Sequence, residues 1–268
     1  MAFGEAQLLI SDTRGIPLKP RQVARLYGKV IGLAGFFSFY YYFKWSIIRQ
    51  FIDFNAKHTL EVGAGTGVFT FEVAKRLQVG SKIIGLDLDE HSVGIANEIV
   101  RSGHFKNVEF VQRDLRSLQL EEKFDQVLAF DVLEHIDDDM LALSQMNSVL
   151  EPNGLLVLTI PTLLFPKCFG KAWAEAIGHL RDGYSIEEIR AKLEMNGFRL
   201  LRYGYYGKYQ ISRLFVYLSI LLNPHIPSTR LNIPAEWFLP IPRYLCLFFD
   251  KPSNDPRSIC LAVLAQKV

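Results

Sequence analysis

The chain has 268 residues, with 30 Lys and Arg against 28 Asp and Glu, and 49% of its side chains are hydrophobic. That is long enough for one large domain with a substantial core and too apolar for a disordered chain. A net charge of +2 is too mild to make nucleic acid the substrate. The three cysteines, Cys168, Cys246 and Cys260, are odd in number and far apart. They suit neither a disulfide framework nor a zinc motif, so a cytoplasmic, reducing setting is expected.

The first 15 residues carry acids early and no apolar run, unlike a secretory signal. Residues 30–43, VIGLAGFFSFYYYF, form an apolar stretch between Lys29 and Lys44. A spanning helix needs about 20 residues, so this one reads as a covering or interfacial helix. Strands are expected at HTLEVGA (58–64), KIIGLD (82–87), VEFV (108–111), FDQVLAF (124–130) and GLLVLTI (154–160), short β-branched and apolar runs. FTFEVAKRLQ, SVGIANEIVRSG and DMLALSQMNSVL lie between them with apolar residues at helical spacing. Alternating strand and helix predicts a parallel sheet with helices on both faces. Ser185 and Glu188 form a capping box before the helix IEEIRAKLEMNGF, which Asn196-Gly197 ends. FRLLRYGYY (198–206) and SICLAVLAQ (258–266) predict two final strands, separated by an unusually apolar insertion.

Glu61-Val62-Gly63-Ala64-Gly65-Thr66-Gly67 ends the first strand and opens a helix. Glycines there let the backbone turn and approach a ligand. The spacing is G-x-G-x-G, whereas dinucleotide sites carry G-x-G-x-x-G. Asp87, at the end of the second strand, stands 20 residues after Gly67. A carboxylate there can accept from both ribose hydroxyls of a nucleoside or dinucleotide. Leu88 follows it as a surface for an adenine face, and Asp114, after the third strand, can accept from an exocyclic amino group. No Lys or Arg flanks the glycine loop to pair with a pyrophosphate. The residues therefore favour a nucleoside cofactor without one.

In order and spacing, LEVGAGTG, IIGLDLD, VEFVQRDL, FDQVLAFDVLEHI and EPNGLLVLTIPT resemble the class I S-adenosylmethionine-dependent methyltransferases. The similarity covers residues 57–205 and the last strand, and leans toward the small-molecule branch with the ubiquinone-type O-methyltransferases. It implies an α/β, Rossmann-like, doubly wound sheet of seven mostly parallel strands with an antiparallel last strand. It also implies an N-terminal helical cap over 1–56 and a methyltransferase domain over 57–268, with the apolar insertion at about 207–256. By resemblance, S-adenosyl-L-methionine is the cofactor. Glu61, Gly63, Ala64, Gly65 and Gly67 would hold its methionine end and Asp87 its ribose. Asp114 and Leu115 would hold the adenine, with Asp131 beside the methionine and sulfonium. Glu151-Pro152-Asn153-Gly154 departs from the family's usual proline and two glycines.

Methyl transfer requires an aimed, desolvated nucleophile and, for a hydroxyl, a base. His135 is the base candidate, the competing role being to order its loop or cap the next helix. Asp131, Glu134 and His135 form a D-x-x-E-H array that could hold a divalent cation, but paired acids near a helix start more commonly serve its dipole, and no metal is assigned. His179, Arg181 and Tyr184, in a GH-x-R-x-x-Y pattern similar to a substrate loop of the family, are candidate substrate contacts. A structural loop bond is the alternative for each.

The aromatic run 35–43 and the segment 209–249 are foreign to the minimal fold. Their richness in Phe, Tyr and Leu favours a hydrophobic small-molecule acceptor, methylated on oxygen or, next, on carbon. The same surfaces, with Lys44, Lys208, Arg213 and Arg243 flanking, would suit peripheral membrane contact or a homodimer interface; extra core is the plainer use. The rival functions are a nicotinamide-dependent oxidoreductase, disfavoured by the glycine spacing, and a non-catalytic S-adenosylmethionine-binding relative. Phe130-Asp131-Val132-Leu133 lacks the N/D-P-P-Y/F signature of amino-methylating enzymes.

Overall fold

The β-branched and aliphatic runs build one sheet, because each side of it is covered by apolar helix faces. The computed structural model describes residues 39–118, 120–210 and 251–268. Most of the expected N-terminal cap and apolar insertion, including Arg213 and Arg243, lies outside them. Helix α1 (Phe39–Ile48) leads into β1 (His58–Val62), α2 (Val68–Ala74), β2 (Lys82–Asp87), α3 (Glu90–Arg101) and β3 (Val108–Gln112). Then follow β4 (Phe124–Phe130), α4 (Asp139–Val149), β5 (Leu150–Pro161), α5 (Phe165–Phe169) and α6 (Lys171–Ala176). Helix α7 (Ile186–Met195) and strands β6 (Phe198–Lys208) and β7 (Ser258–Lys267) complete the described elements.

The seven strands lie in the order β3-β2-β1-β4-β5-β7-β6. β1 to β5 are parallel, and β7 runs antiparallel between β5 and β6. Strand order reverses between β1 and β4. In open α/β sheets such a point leaves a crevice outside the carboxyl ends of the strands, where ligands bind.

Both sides of the sheet are dry. In β4, Val127 and Ala129 join Leu60, Val62, Leu156 and Met146 on one face, while Leu128 and Phe130 join Phe71, Phe110 and Val157 on the other. Period-two alternation with both faces buried explains why these strands read as unbroken apolar runs. Short polar side chains start the helices. Asp89 accepts from Ser92 N at 3.1 Å, Asp138 from Leu141 N at 2.9 Å and Ser185 from Glu188 N at 3.1 Å. In the expected capping box the hydroxyl bond is made, while the Glu188 carboxylate pairs with Lys192 one turn on at 3.8 Å. The turn at Asn153 has a local explanation: its φ is +64°, a left-handed conformation that glycine takes freely and asparagine tolerates better than most residues.

Candidate active site

The loop from β1 to α2 is shaped by three left-handed glycines: Gly63, Gly65 and Gly67 have φ of +68°, +54° and +86°. They do different work. A Cβ on Gly67 would lie 2.4 Å from Phe110 Cζ, and one on Gly63 would lie 2.6 Å from Val132 Cγ2. A Cβ on Gly65 would meet nothing within 4 Å. Gly63 and Gly67 thus let the loop pack on the core, whereas Gly65 faces open space. Ala64 is pinned by its N–H to Leu86 O at 2.9 Å. The Thr66 hydroxyl is buried without a hydrogen-bond partner among the described residues. A polar atom in that state costs stability unless a ligand or water meets it.

Two acids stand behind this loop. Glu61 is buried and accepts from the Thr70 hydroxyl at 2.6 Å. Burial raises its pKa to about 8, against the opposing Thr70 bond and the Lys44 charge. Asp87 is also buried, accepting from Gly65 N at 2.6 Å and from Asp89 N at 2.9 Å. It ties the ends of β1 and β2 together and keeps lone pairs for a ligand. Leu88 beside it is 60% exposed, a free apolar surface. Asp114 is held by Arg116, Nη2 to Oδ2 at 2.8 Å, and that bond lowers its pKa. It therefore has a partner in place that an exocyclic amino group would have to join or displace. Leu115 is buried in the core below.

Asp131 follows β4 with φ +54°, rare for a residue other than glycine. Its carboxylate accepts from the Thr159 hydroxyl at 3.0 Å and pairs with Lys44. Lys44 is only 1% exposed, which corrects the sequence expectation that it flanks a membrane-facing surface. The sequence signal was a single charge inside the helix FYYYFKWSII, and charged side chains are seldom fully buried unless paired. Its ammonium also lies 5.6 Å from the centre of the Phe69 ring.

Glu134, His135 and His179 come together in one cluster. Each offers a ligating atom within 4.8 Å of the others. Asp131 is not in this group, being engaged by Lys44 and Thr159, so the D-x-x-E-H array is replaced by a carboxylate and two imidazoles. His135 Nδ1 lies 3.0 Å from Gly178 O, a bond that leaves Nε2 as the basic nitrogen. His135 and His179 meet edge to face at 4.9 Å, and His179 stacks on Phe165 at 5.1 Å. Glu134 Oε2 and His179 Nδ1 are buried with no hydrogen-bond partner among the described residues. Burial holds Glu134 well above the usual carboxylate range, lowers His135 and takes His179 down to about 4. All three are thereby biased to their neutral forms.

The remaining loop residues are spent on structure. Tyr184 is 1% exposed, and its hydroxyl lies 3.0 Å from Asp139 Oδ2 and 3.2 Å from Leu133 O. Arg181 binds the Asp139 carboxylate at 2.5 Å and Ile136 O at 2.6 Å. This geometry departs from the expected substrate contacts: both side chains fasten the His179 loop to the Leu133–His135 turn. Gly183 makes the crossing, since a Cβ there would sit 2.5 Å from the Thr162 carbonyl.

Comparison with known proteins points the same way. Residues 53–197, more than half of the chain, match the family model described as a methyltransferase domain. A demethylmenaquinone methyltransferase of Staphylococcus carnosus is 27% identical over 163 residues, covering 52% of this chain and 67% of that one. Among solved structures, phosphoethanolamine N-methyltransferase 2 of Haemonchus contortus in complex with S-adenosyl-L-methionine aligns with a TM-score of 0.61 and 18% identity. That alignment covers 83% of this chain and 51% of the Haemonchus one. The N-methyltransferase NodS of Bradyrhizobium japonicum, with bound S-adenosyl-L-homocysteine, aligns at 0.52 with 15% identity, covering 84% and 87% of the two chains.

Proposed function

This chain belongs to the methyltransferase-domain family, in its class I S-adenosylmethionine-dependent, small-molecule form, and on that footing we propose that it methylates a hydrophobic acceptor, on oxygen first and on carbon next. The observation carrying this reading is the neutral cluster of Glu134, His135 and His179, backed by Phe165, beside the end of β4 where the sheet order reverses. Demethylmenaquinone, which the name of the Staphylococcus relative gives as its acceptor, is of the same chemical character.

The residues fit the cofactor. Glu61 would accept from its amino group, Asp87 from its ribose, and Gly65 and Thr66 would meet it along the loop, with Leu88 and Asp114 at the adenine. The cofactor supplies an electrophilic methyl group on a sulfonium. His135 Nε2 would take the proton from the acceptor's hydroxyl, leaving the oxygen free to act as the nucleophile. A base does this best when its pKa lies near the working pH, so that it is unprotonated yet still basic enough to take the proton. The Gly178 carbonyl keeps His135 in the required tautomer, and the Phe165 and His179 rings exclude water from the reacting side.

A second reading has its own observation: a carboxylate and two imidazoles within 4.8 Å, two of their atoms buried without partners, are also a ligand set for a divalent cation. Such a cation would lower a phenol's pKa and take over from the base. Methyl-labelled cofactor incubated with hydrophobic phenols, hydroquinones and quinones tests both. Label passing into the organic phase is expected, and its position in the product decides oxygen from carbon. Label reaching no acceptor in the panel would contradict the proposal. Turnover lost on chelation and restored by a metal salt would favour the second reading.

A further inference from the structure

Lys44 comes from α1, ahead of the span that the family model matches, yet its ammonium ends at the carboxyl edge of β4. It is 1% exposed and pairs with Asp131. An ammonium has three donors to place, and among the described residues Asp131 is the hydrogen-bond partner it has. Removing a cation from water is costly unless its surroundings satisfy it fully. A buried ammonium with donors to spare, at a ligand crevice, is suited to an anionic oxygen arriving from outside the chain.

The local charges say which end of the ligand that is. Lys44 lies close enough to Glu61, Glu134 and His135 for its charge to act on each of them. On the reading proposed above, this rim receives the amino-acid end of the cofactor, which carries an ammonium and a carboxylate. Glu61 and Asp131 provide acceptors for the ammonium. Asp131 would repel the carboxylate, and Arg181, another cation among the described residues, is engaged by Asp139 and by the Ile136 and Asp137 carbonyls. We infer that Lys44 binds the carboxylate of the cofactor's amino-acid end, and so selects for adenosyl thioethers that keep it. The ion pair with Asp131 aims the ammonium, and Phe69 supports it from the side.

The inference rests on the proposed cofactor site, so the test separates the two. Calorimetry would compare S-adenosylhomocysteine with S-adenosyl-3-thiopropylamine, the same thioether without the carboxylate, on wild type, Lys44→Met and Lys44→Gln. A charge-assisted hydrogen bond corresponds to roughly 10- to 100-fold in affinity. Wild type should therefore prefer the carboxylate-bearing ligand by about that factor. Both variants should bring the preference near unity while binding the amine about as wild type does. Lys44→Gln keeps a donor for Asp131 and guards against misfolding. Equal weakening of both ligands would make Lys44 a purely structural residue and overturn the inference, as would a preference surviving in the variants. Wild type binding both ligands equally would sink the Lys44 role alone. Binding of neither would sink the cofactor site with it.

Discussion

Glu61 carries a carboxyl whose pKa burial has raised from 4.5 to about 8. Between those values the folded chain holds a proton that the unfolded chain has lost, so this group's stabilising contribution is full below about pH 4.5 and fades as pH rises through 8. Thermal unfolding of wild type and Glu61→Gln between pH 5 and 9 checks the sign. The variant should lose less stability toward pH 9, and an identical decline in both proteins would reject the assignment. S-adenosylhomocysteine should bind the variant more weakly than wild type most clearly toward pH 9, where the wild-type carboxyl is ionised and the amide stays neutral. Tyr184 makes a separate case. Tyr184→Phe removes a buried hydroxyl shared with Asp139 and Leu133, a loss of about 1–2 kcal/mol in stability. Cofactor affinity should stay within about twofold, because the tyrosine fastens a loop and does not touch the ligand. At this scale the positions of Glu61, Asp87 and Asp131 were legible, because each stands at or just past the end of an apolar strand run. The sequence left Tyr184 and Arg181 open between substrate contact and loop bond, because their partners Asp139 and Leu133 are about 40 to 50 residues away. Lys44 was visible only as one charge in an aromatic run, since its partner is 87 residues distant.

The β1–α2 loop separates packing from binding within five residues. Gly67→Ala would force a methyl group against Phe110 and Phe71, at 2.4 and 2.8 Å, with φ at +86°. Overpacking and the left-handed backbone together predict a loss of about 2–5 kcal/mol. Gly65→Ala meets open space, so it should cost only the backbone penalty of about 1–2 kcal/mol. Its methyl group, however, projects where the cofactor would lie. Differential scanning fluorimetry with and without S-adenosylhomocysteine should show Gly67→Ala with the large drop in unligated Tm. Gly65→Ala should show a small drop and most of its ligand shift gone. The reverse pattern would mean that the loop does not face the ligand. Strands were the most legible elements, because burial on both sheet faces leaves a continuous apolar run whose ends are set by turn residues. Helix ends were less so: α2 stops at Ala74, short of the predicted run to Gln78, and Arg76 and Leu77 both turn their N–H groups onto Val73 O as the helix closes.

Across the whole molecule, five strand-end motifs meet at one edge of a sheet whose order reverses between β1 and β4, which is why a linear string of short motifs could be read as one site. What a linear reading could not give is how Glu134, His135 and His179 converge, since that depends on a loop returning from beyond β5. No helix among the described residues is long and apolar enough to cross a membrane. The apolar segments at 30–38 and 211–249 fall outside the described residues. Their proposed role in holding a hydrophobic acceptor, or a membrane surface, can be checked by sedimentation with anionic liposomes, where co-sedimentation that falls with salt supports surface contact and none removes it. The central claim, a nucleoside cofactor held by Asp87 at the sheet's reversal point, is tested most directly by titrating S-adenosylhomocysteine into wild type and Asp87→Ala, with NADPH as the control ligand. Binding by wild type, weakened about 100-fold or more in the variant as two charge-assisted bonds are lost, and no binding of NADPH are the predicted results. Binding of NADPH, or S-adenosylhomocysteine bound equally by both proteins, would contradict it.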